Sequence, residues 1–248
     1  KQIFNLEEEA AKVIPAGAFA FIARGAEKEW TLKENIAAFD RISLLPGYLS
    51  GKPQPDLTTT LLGHRLSLPV ITTPMGAQGL AHISAEKGTA EGTAEAGTLF
   101  TMSTAANTTI EDVAAASKGP KRLQIYLLEN DRPGSAKLLR RAEAAGFSAI
   151  VFTIDAFARG SSDAAEALGF SFPPSLRLVN MGTGGLKKSL SWDDVSFIRD
   201  TTKLPLVIKG ALTPALAERA VKAGAAAIQV SNHGGRQLDG VPASISVL

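Results

Sequence analysis

A pattern of apolar and polar residues recurs three times along the chain. In each copy an alanine-rich amphipathic stretch ends in Ala-Gly, and a short, continuous apolar run follows it. The copies end at Gly97, Gly146 and Gly224, and their apolar runs are residues 98–103, 149–155 and 226–231. Glycine fits the left-handed conformation that ends a helix, and continuous apolar runs indicate strands covered on both faces. The repeat therefore predicts helices that alternate with the strands of a parallel sheet.

Three further apolar runs fit between these copies, at residues 68–73, 123–126 and 204–209. Helices are predicted in the intervals. One begins after Thr109 with acidic residues in its first turn, and another is capped by Ser191. Six strands separated by helices form the alternation of an α/β fold.

Polar residues at the ends of the predicted strands favour a barrel over an open sheet. They are Thr101, Ser103, Gln124, Tyr126, Thr153, Asp155, Lys209, Ser231 and His233. A (β/α)₈ barrel collects its functional groups at the carboxyl ends of its strands. An open dinucleotide-binding sheet would carry a G-x-G-x-x-G motif after its first strand, and this sequence has none there. We therefore predict an α/β fold of the TIM barrel type, of which this chain covers about six βα units.

The remaining segments are assigned around this barrel. Residues 1–47 are predicted to form a helical N-terminal extension, and residues 48–248 form the barrel domain. A hairpin is expected at residues 58–68, with its turn at Gly63-His64. Residues 172–188 are rich in Pro and Gly, so we expect a loop over the site.

The composition narrows the classes of function. The 248 residues include 26 basic and 24 acidic side chains, and the net charge of +2 gives no electrostatic argument for nucleic acid. The lack of cysteine excludes disulfides and thiolate catalysis, and three scattered histidines make a poor metal site. No apolar run approaches the roughly 18 residues of a membrane span, and the first residues lack the apolar core of a signal peptide. We therefore expect a cytoplasmic protein without a membrane partner.

The densest group of chemically capable residues is the stretch 231–239, directly after a predicted strand. His233 can take up a proton near neutral pH, and Arg236 can hold a carboxylate through a two-pronged hydrogen bond. The glycines between them let a ligand approach the backbone closely. This combination suits proton removal from a small organic acid. A polar turn with a surface arginine is the alternative, and the spacing alone leaves it open.

Three more residues could contribute to the same site. Lys209 ends an apolar strand and needs a negative partner or a ligand, so it could be a Schiff-base lysine, a phosphate or flavin contact, or part of a structural ion pair. Asp155 could orient His233 and stabilise its protonated form, or it could cap the next loop. Tyr126 could hydrogen-bond a ligand or be an ordinary buried tyrosine.

The stretch 231–239, with residues 241–243, closely resembles the signature of the FMN-dependent 2-hydroxy acid oxidases and dehydrogenases. The resemblance extends along the whole chain, through residues 25–27, 30–32 and 35, 62–64, 124–126 and 207–210. It is strongest to the lactate and glycolate oxidase branches. It implies a TIM barrel, an FMN cofactor and a small (S)-2-hydroxy acid substrate. It further implies O₂ or another electron acceptor, and a homotetramer.

The resemblance also implies a role for each site residue. His233 would be the base, Asp155 would pair with its imidazolium, and Tyr126 and Arg236 would contact the substrate. Lys209 would lie beside the flavin ring, where its charge favours the reduced anion. Further contacts to the flavin would come from Thr73, Pro74, Met75, Gly76, Ser103, Gln124, Thr153 and Ser231.

The sequence departs from the family pattern at several positions. Phe21 replaces a tyrosine that contacts the substrate carboxylate, Ser162 replaces a second arginine with Arg159 nearby but off register, and Ala105 replaces a tryptophan. Because a barrel of six strands would leave two open edges, we expect the C-terminal βα units to be missing.

Two alternative functions stay open from the sequence. One is a flavin-binding relative with an altered substrate, given Phe21 and Ser162. The other is a Schiff-base aldolase that uses Lys209 on a similar barrel.

Overall fold

The computed structural model describes residues 5–49, 51, 54–156, 163–182 and 185–248. The α-helices of these residues are α1 Leu6–Val13, α2 Ala16–Ala23, α3 Trp30–Ala37, α4 Ala85–Glu95, α5 Ile110–Ala116, α6 Arg132–Ala144, α7 Asp163–Ala167, α8 Trp192–Thr201, α9 Pro214–Lys222 and α10 Ser244–Val247. The strands are β1 Thr59–Leu61, β2 His64–Leu66, β3 Phe100–Ser103, β4 Lys121–Ile125, β5 Ile150–Thr153, β6 Leu206–Ala211 and β7 Ala227–Val230.

The main sheet has the strand order β3-β4-β5-β6-β7, and every neighbouring pair is parallel. Each strand therefore pairs with the next one along the chain, after a helical connection. A doubly wound open sheet reverses its strand order at a switch point, and this sheet does not reverse within the described residues. The order confirms the prediction of a barrel-type sheet.

Local sequence signals explain where the helices begin and end. Gly97, Gly146 and Gly224 have positive φ angles of 69°, 77° and 96°, as predicted for helix ends. The Thr109 hydroxyl caps α5 by accepting a hydrogen bond from the Asp112 N–H at 3.1 Å. At the start of α8, the Ser191 N–H donates to the Asp194 carboxylate at 2.8 Å. Both predicted helix starts are confirmed.

The two faces of the sheet differ in character. Alternate residues such as Phe100, Leu123 and Phe152 pack with the helices in one apolar core. The residues between them join strands across the other face through polar side chains. There, the buried Arg122 donates from Nε to Thr101 Oγ1 at 2.8 Å and from Nη2 to Gln229 Oε1 at 3.1 Å. The inner face of the sheet is therefore polar and hydrogen-bonded, and it leads to the strand ends.

One predicted strand is wrong. Residues 68–73 do not form a regular strand, although the segment lies along β3. The Thr72 N–H donates to the Leu99 carbonyl at 3.1 Å, and Met75 pairs with Met102 in a single parallel bridge. Pro69 and the neighbouring Pro74 lack the N–H groups that a continuous ladder requires. The segment is therefore held beside the sheet at separate points.

The N-terminal part contains α1, α2 and α3, while the predicted division of the chain at residue 47 stays a prediction.

The predicted hairpin is confirmed, since β1 pairs with β2 in antiparallel register. Thr59 lies opposite Leu66, and Leu61 lies opposite His64. Its turn therefore lies at Leu62-Gly63, one residue before the predicted position. Within the described part of residues 172–188 there is neither helix nor strand, as predicted for a loop. No helix among the described residues has the length and apolar character needed to cross a membrane.

Candidate active site

His233 occupies the turn that follows β7, and its backbone is strained. Its φ angle is +60°, in the left-handed region that costs about 1 kcal/mol or more for a residue with a Cβ. The Ser231 hydroxyl holds this conformation by accepting the His233 N–H at 3.0 Å. The neighbouring Asn232 side chain accepts the Gly235 N–H at 3.2 Å. The turn is therefore built to hold the imidazole in one position.

The imidazole meets two charged residues from neighbouring strands. Its Nδ1 lies 2.8 Å from Asp155 Oδ1, and the Lys209 ammonium lies 3.5 Å from the same ring nitrogen. Lys209 Nζ is also 3.9 Å from Asp155 Oδ1. The predicted grouping of His233, Asp155 and Lys209 is present, and each of the three groups contacts the other two.

The geometry assigns different tasks to the two ring nitrogens of His233. An Nδ1–H that donates to Asp155 leaves Nε2 as an acceptor that points away from the carboxylate. Nε2 lies 3.4 Å from the Tyr126 hydroxyl, a long contact. The nitrogen that can accept a proton therefore faces the side where Tyr126 lies.

Burial shifts the pKa values of two groups around the imidazole. Lys209 is only 4% exposed, and burial lowers the pKa of its ammonium, although the nearby Asp155 opposes this effect. Burial, with Asp155 as a second cause, raises the pKa of Tyr126 to about 12. The Tyr126 phenol therefore stays protonated over the ordinary pH range and can donate a hydrogen bond.

A pH titration of the phenolate absorbance is expected to show this directly. The absorbance difference between the wild-type protein and Tyr126→Phe should appear only as the pH approaches 12, because burial disfavours the phenolate. A difference that develops near pH 10, the usual value for tyrosine, would contradict the buried placement of Tyr126.

Buried polar side chains form a row across three strand ends. The Ser103 hydroxyl donates to Gln124 Oε1 at 2.9 Å, and Gln124 Nε2 donates to Thr153 Oγ1 at 2.9 Å. All three side chains are almost completely buried, and Lys209 lies opposite Thr153 in the strand register. We call Ser103, Gln124, Thr153 and Lys209 the polar row.

The segment 73–76 runs beside the end of β3. After the bridge from Met75 to Met102, the Ala77 N–H donates to the Ala105 carbonyl at 2.8 Å. Thr73, Pro74, Met75 and Gly76 thus lie beside the end of β3. Ala105, where the family pattern has a tryptophan, lies directly against this segment.

Arg236 reaches the N-terminal helices. Its Nη1 donates to the carbonyls of Ile22 at 2.9 Å and Arg24 at 2.7 Å, and its Nη2 donates to the Phe21 carbonyl at 2.8 Å. A guanidinium has five N–H donors, so Nε–H and one Nη2–H have no partner among the described residues. Burial, together with the charge of Arg24, lowers the pKa of Arg236 to about 10. The predicted contact between Arg236 and a substrate carboxylate stays a prediction, and the structure adds that backbone carbonyls anchor part of the guanidinium.

Phe21 belongs to a cluster of three aromatic rings. Its centroid lies 5.3 Å from that of Phe170 and 5.0 Å from that of Phe172. The ring supplies apolar packing beside Arg236 but no hydroxyl donor. The predicted departures Ser162 and Arg159 lie outside the described residues.

Hydrogen bonds fasten the turn that carries His233 to α3. The types of the residues that make them do not predict this role. The Asp239 carboxylate accepts the N–H groups of Trp30 at 3.1 Å and Thr31 at 2.7 Å, at the start of α3. Asn232 Nδ2 donates to Asn35 Oδ1 at 2.6 Å, and Asn35 Nδ2 donates to Asn232 Oδ1 at 3.1 Å. Helix α3 thereby positions the turn that carries His233.

Glu86 was missed by the sequence reasoning. Its carboxylate is fully buried and accepts backbone N–H groups from Gln78, Asn107 and Thr108 at 3.0–3.3 Å. It therefore ties the loop after residue 76 to the loop after β3. In the sequence it is indistinguishable from an ordinary acidic residue in the first turn of a helix.

Comparison with known proteins identifies the group to which these residues belong. A family model described as FMN-dependent dehydrogenase matches residues 10–248. The chain belongs to the FMN-dependent dehydrogenase family. Membership favours the oxidoreductase interpretation of the strand-end residues over the Schiff-base aldolase.

Individual members of this family are similar over almost the whole chain. Glycolate oxidase 1 of Zea mays is 40% identical, covering 99% of this chain and 72% of the maize protein. A lactate oxidase structure from Pediococcus acidilactici has a TM-score of 0.94 at 40% identity, covering 100% of this chain and 71% of that one. A mandelate oxidase structure with (S)-2-phenylpropionate has a TM-score of 0.93 at 36% identity, covering 98% and 71%. These likenesses confirm the TIM barrel.

The donor set at the strand ends fits the FMN of this family. The polar row offers hydroxyl, amide and ammonium groups at buried positions, which suits a planar heterocycle with both donors and acceptors. The nearly buried Lys209 ammonium has its closest carboxylate oxygen among the described residues at 3.9 Å, so a negatively charged ring edge would compensate it. Asp155 Oδ2 is buried and has no hydrogen-bond partner among those residues. The site thus contains buried charges of both signs, at Lys209 and Asp155, that a bound group could compensate.

Proposed function

We propose that the protein uses FMN to oxidise a small (S)-2-hydroxy acid to the 2-keto acid, and that the electrons pass to O₂ or another acceptor. The observation that carries this proposal is the 2.8 Å contact between His233 Nδ1 and Asp155, which leaves Nε2 available as a base beside the polar row. The names of the relatives, which include glycolate, lactate and mandelate oxidases, support the same reaction class.

The reaction removes two electrons and two protons from the substrate, one proton from the hydroxyl oxygen and one from the carbon that bears it. FMN, when bound, would accept the two electrons and one of the protons. His233 Nε2 takes up one of the protons, and Asp155 stabilises the imidazolium that results. Before the reaction, Asp155 also fixes the tautomer of His233, because its Oδ1 accepts the His233 Nδ1–H.

Two residues orient the substrate in this proposal. The protonated Tyr126 hydroxyl lies next to Nε2 and can donate to a substrate oxygen. The free edge of Arg236, Nε–H and one Nη2–H, matches the two oxygens of a carboxylate. The carbonyls of Phe21, Ile22 and Arg24 hold the rest of the guanidinium, so its direction is set before a substrate arrives.

The polar row and the segment 73–76 are the part of the site that would hold the cofactor. Ser103, Gln124 and Thr153 present a continuous hydrogen-bonded edge, and Lys209 adds a positive charge. That charge favours a cofactor that becomes more negative on reduction. Thr73, Pro74, Met75 and Gly76 would pack along the ring, and Ser231 lies at the His233 end of the site.

Steady-state turnover tests the proposal. The FMN-loaded protein is offered (S)-lactate, glycolate and (S)-mandelate, while oxygen consumption and 2-keto acid are measured. We expect one 2-keto acid per O₂ consumed for at least one substrate, or per molecule of an artificial acceptor if O₂ reacts slowly. Protein that cannot bind FMN, or that forms no keto acid from any of the three, would overturn the proposal.

A cytoplasmic location and a homotetramer complete the proposal. The lack of cysteine means that the fold needs no disulfide, which suits a reducing compartment. One relative from Oryza sativa is named a peroxisomal oxidase, so a fluorescent fusion of this protein should be used to distinguish a cytoplasmic from a peroxisomal location.

Light scattering of the holoprotein should give four times the mass of the chain, and a monomer mass would rule the tetramer out.

A further inference from the structure

Strand β6 has an irregularity directly after Lys209. In the register with β7, Lys209 lies opposite Gln229, and Ala211 lies opposite the next residue, Val230. Two steps along β6 therefore match one step along β7. Gly210 is the extra residue of this β-bulge, and its φ angle is +108°. Bulges beside a functional site interrupt regular pairing and change the direction of nearby side chains.

The backbone of Gly210 packs directly against Asp155. A Cβ at position 210 would lie 2.8 Å from both the Cβ and the Cγ of Asp155, and 3.1 Å from its backbone nitrogen. Non-bonded carbon atoms prefer a separation of about 3.5–4.0 Å. Because the Cβ of Asp155 is fixed to the main chain, rotation of that side chain cannot make enough room. Any side chain at position 210 would therefore push Asp155 away from β6.

This packing matters because few polar contacts fix the Asp155 carboxylate. Among the described residues its hydrogen bond is with His233 Nδ1, at 2.8 Å, and its Oδ2 is buried without a partner. Lys209 Nζ lies 3.9 Å from Oδ1, which is too far for a hydrogen bond. A side chain with so few polar contacts is held in one rotamer by packing, and Gly210 provides part of that packing.

Two groups compete for the same nitrogen of the imidazole. Asp155 can only accept a hydrogen from His233 Nδ1, whereas the Lys209 ammonium, 3.5 Å from Nδ1, can only donate one to it. The pairing with Asp155 leaves Nε2 free to accept a proton, and the pairing with Lys209 places a hydrogen on Nε2. The shorter distance favours Asp155. A displaced carboxylate would lose this advantage, and the ring would shift to the tautomer that cannot act as a base at Nε2.

We propose that Gly210 is a positioning residue: by letting Asp155 pack against β6, it keeps His233 in the tautomer whose Nε2 can accept a proton. The inference rests on the proposed function for the role of Nε2 as a base. The tautomer itself is a property of the protein without substrate, so it can be measured separately from the reaction.

Nitrogen-15 NMR of the FMN-loaded chain measures the tautomer. Two-bond ¹H–¹⁵N correlation spectra show which ring nitrogen carries the hydrogen, and His233→Gln identifies the signals of that ring among the three histidines. At a pH where the ring is neutral, we expect mainly Nδ1–H in the wild type, and a population lower by about twofold or more in Gly210→Ala. Gly63→Ala is the matched control, because Gly63 has a φ of +82° and a Cβ there would have no described atom within 4 Å. It should leave the tautomer unchanged.

Anaerobic flavin reduction by the hydroxy acid measures the consequence for the reaction. Gly210→Ala should lower the rate about 10²-fold, the effect of a displacement of about 1 Å, while the half-saturating substrate concentration stays within about threefold. In an Asp155→Asn background the same substitution should lower the rate by less than about threefold, because the carboxylate that it displaces is already gone. Asparagine has the shape of aspartate, so the steric clash is the same in both backgrounds.

An unchanged Nδ1–H population in Gly210→Ala, or equal losses of rate in the two backgrounds, would overturn the inference. If Gly210→Ala does not fold, Asp155→Gly is added, because it removes the Cβ and Cγ that the new methyl group meets. Folded double variant then supports the contact, and its absence, when Asp155→Gly alone folds, overturns it. Failure of the proposed function looks different, since the wild-type flavin would stay oxidised with every hydroxy acid while the tautomer comparison still gave the expected result.

Discussion

Replacing His233 by glutamine should lower the rate of substrate oxidation by about 10²- to 10⁴-fold, the usual contribution of a positioned general base. Glutamine approximates the size of the imidazole and can still hydrogen-bond Asp155, but it cannot take up a proton. FMN binding should be retained, because the polar row does not include residue 233. Stopped-flow measurement of flavin absorbance after anaerobic mixing with substrate reports the loss directly.

His82→Gln provides the control for this variant. His82 is exposed and bonds to the nearby Ser84, so its replacement should leave the rate unchanged. A rate within tenfold of wild type in His233→Gln, with FMN still bound, would show that another group removes the proton.

Replacing Gly235 by alanine should reduce the free energy of unfolding by about 3 kcal/mol. The residue has a φ of +69°, and a Cβ there would lie 2.6 Å from the Leu32 N and 2.9 Å from its Cα. Those atoms belong to the backbone of α3, so no side-chain rotation can relieve the clash. Urea unfolding of the wild type and the variant measures the difference.

Gly234→Ala separates the two causes of this loss. Gly234 has a similar φ of +66°, but its Cβ would meet only the Arg236 Cδ, at 3.9 Å. It should therefore lose about 1 kcal/mol, from the left-handed conformation alone. Equal losses in the two variants would mean that the contact between the His233 turn and α3 does not constrain position 235. The increase in KM and the decrease in kcat should both be larger in Gly235→Ala than in Gly234→Ala, because the turn must move.

The sequence predicted the strand-end site well because parallel strands place their carboxyl ends at one edge of a sheet. The polar residues that end the apolar runs therefore had to approach one another, as His233, Asp155 and Lys209 do. The helix ends at Gly97, Gly146 and Gly224 were predictable because glycine fits the left-handed conformation that ends a helix.

Long-range contacts account for what the sequence did not predict. The Asp239 carboxylate caps a helix more than 200 positions earlier, and Glu86 binds backbone N–H groups of two separate loops. Neither residue type marks such a role. Residues 68–73 have the apolar character of a strand, but Pro69 and the neighbouring Pro74 prevent a continuous ladder. The anchoring of Arg236 by carbonyls, and its closeness to Arg24, depend on how the N-terminal helices dock.

Anaerobic titration of the FMN-loaded protein tests the central claim most directly, namely that these strand ends form a hydroxy-acid-oxidising flavin site. We predict that (S)-lactate or (S)-mandelate bleaches the visible flavin absorbance and yields one 2-keto acid per flavin, whereas the (R)-enantiomer does not. Bound flavin that stays oxidised with every hydroxy acid, yet is bleached by dithionite, would contradict the account.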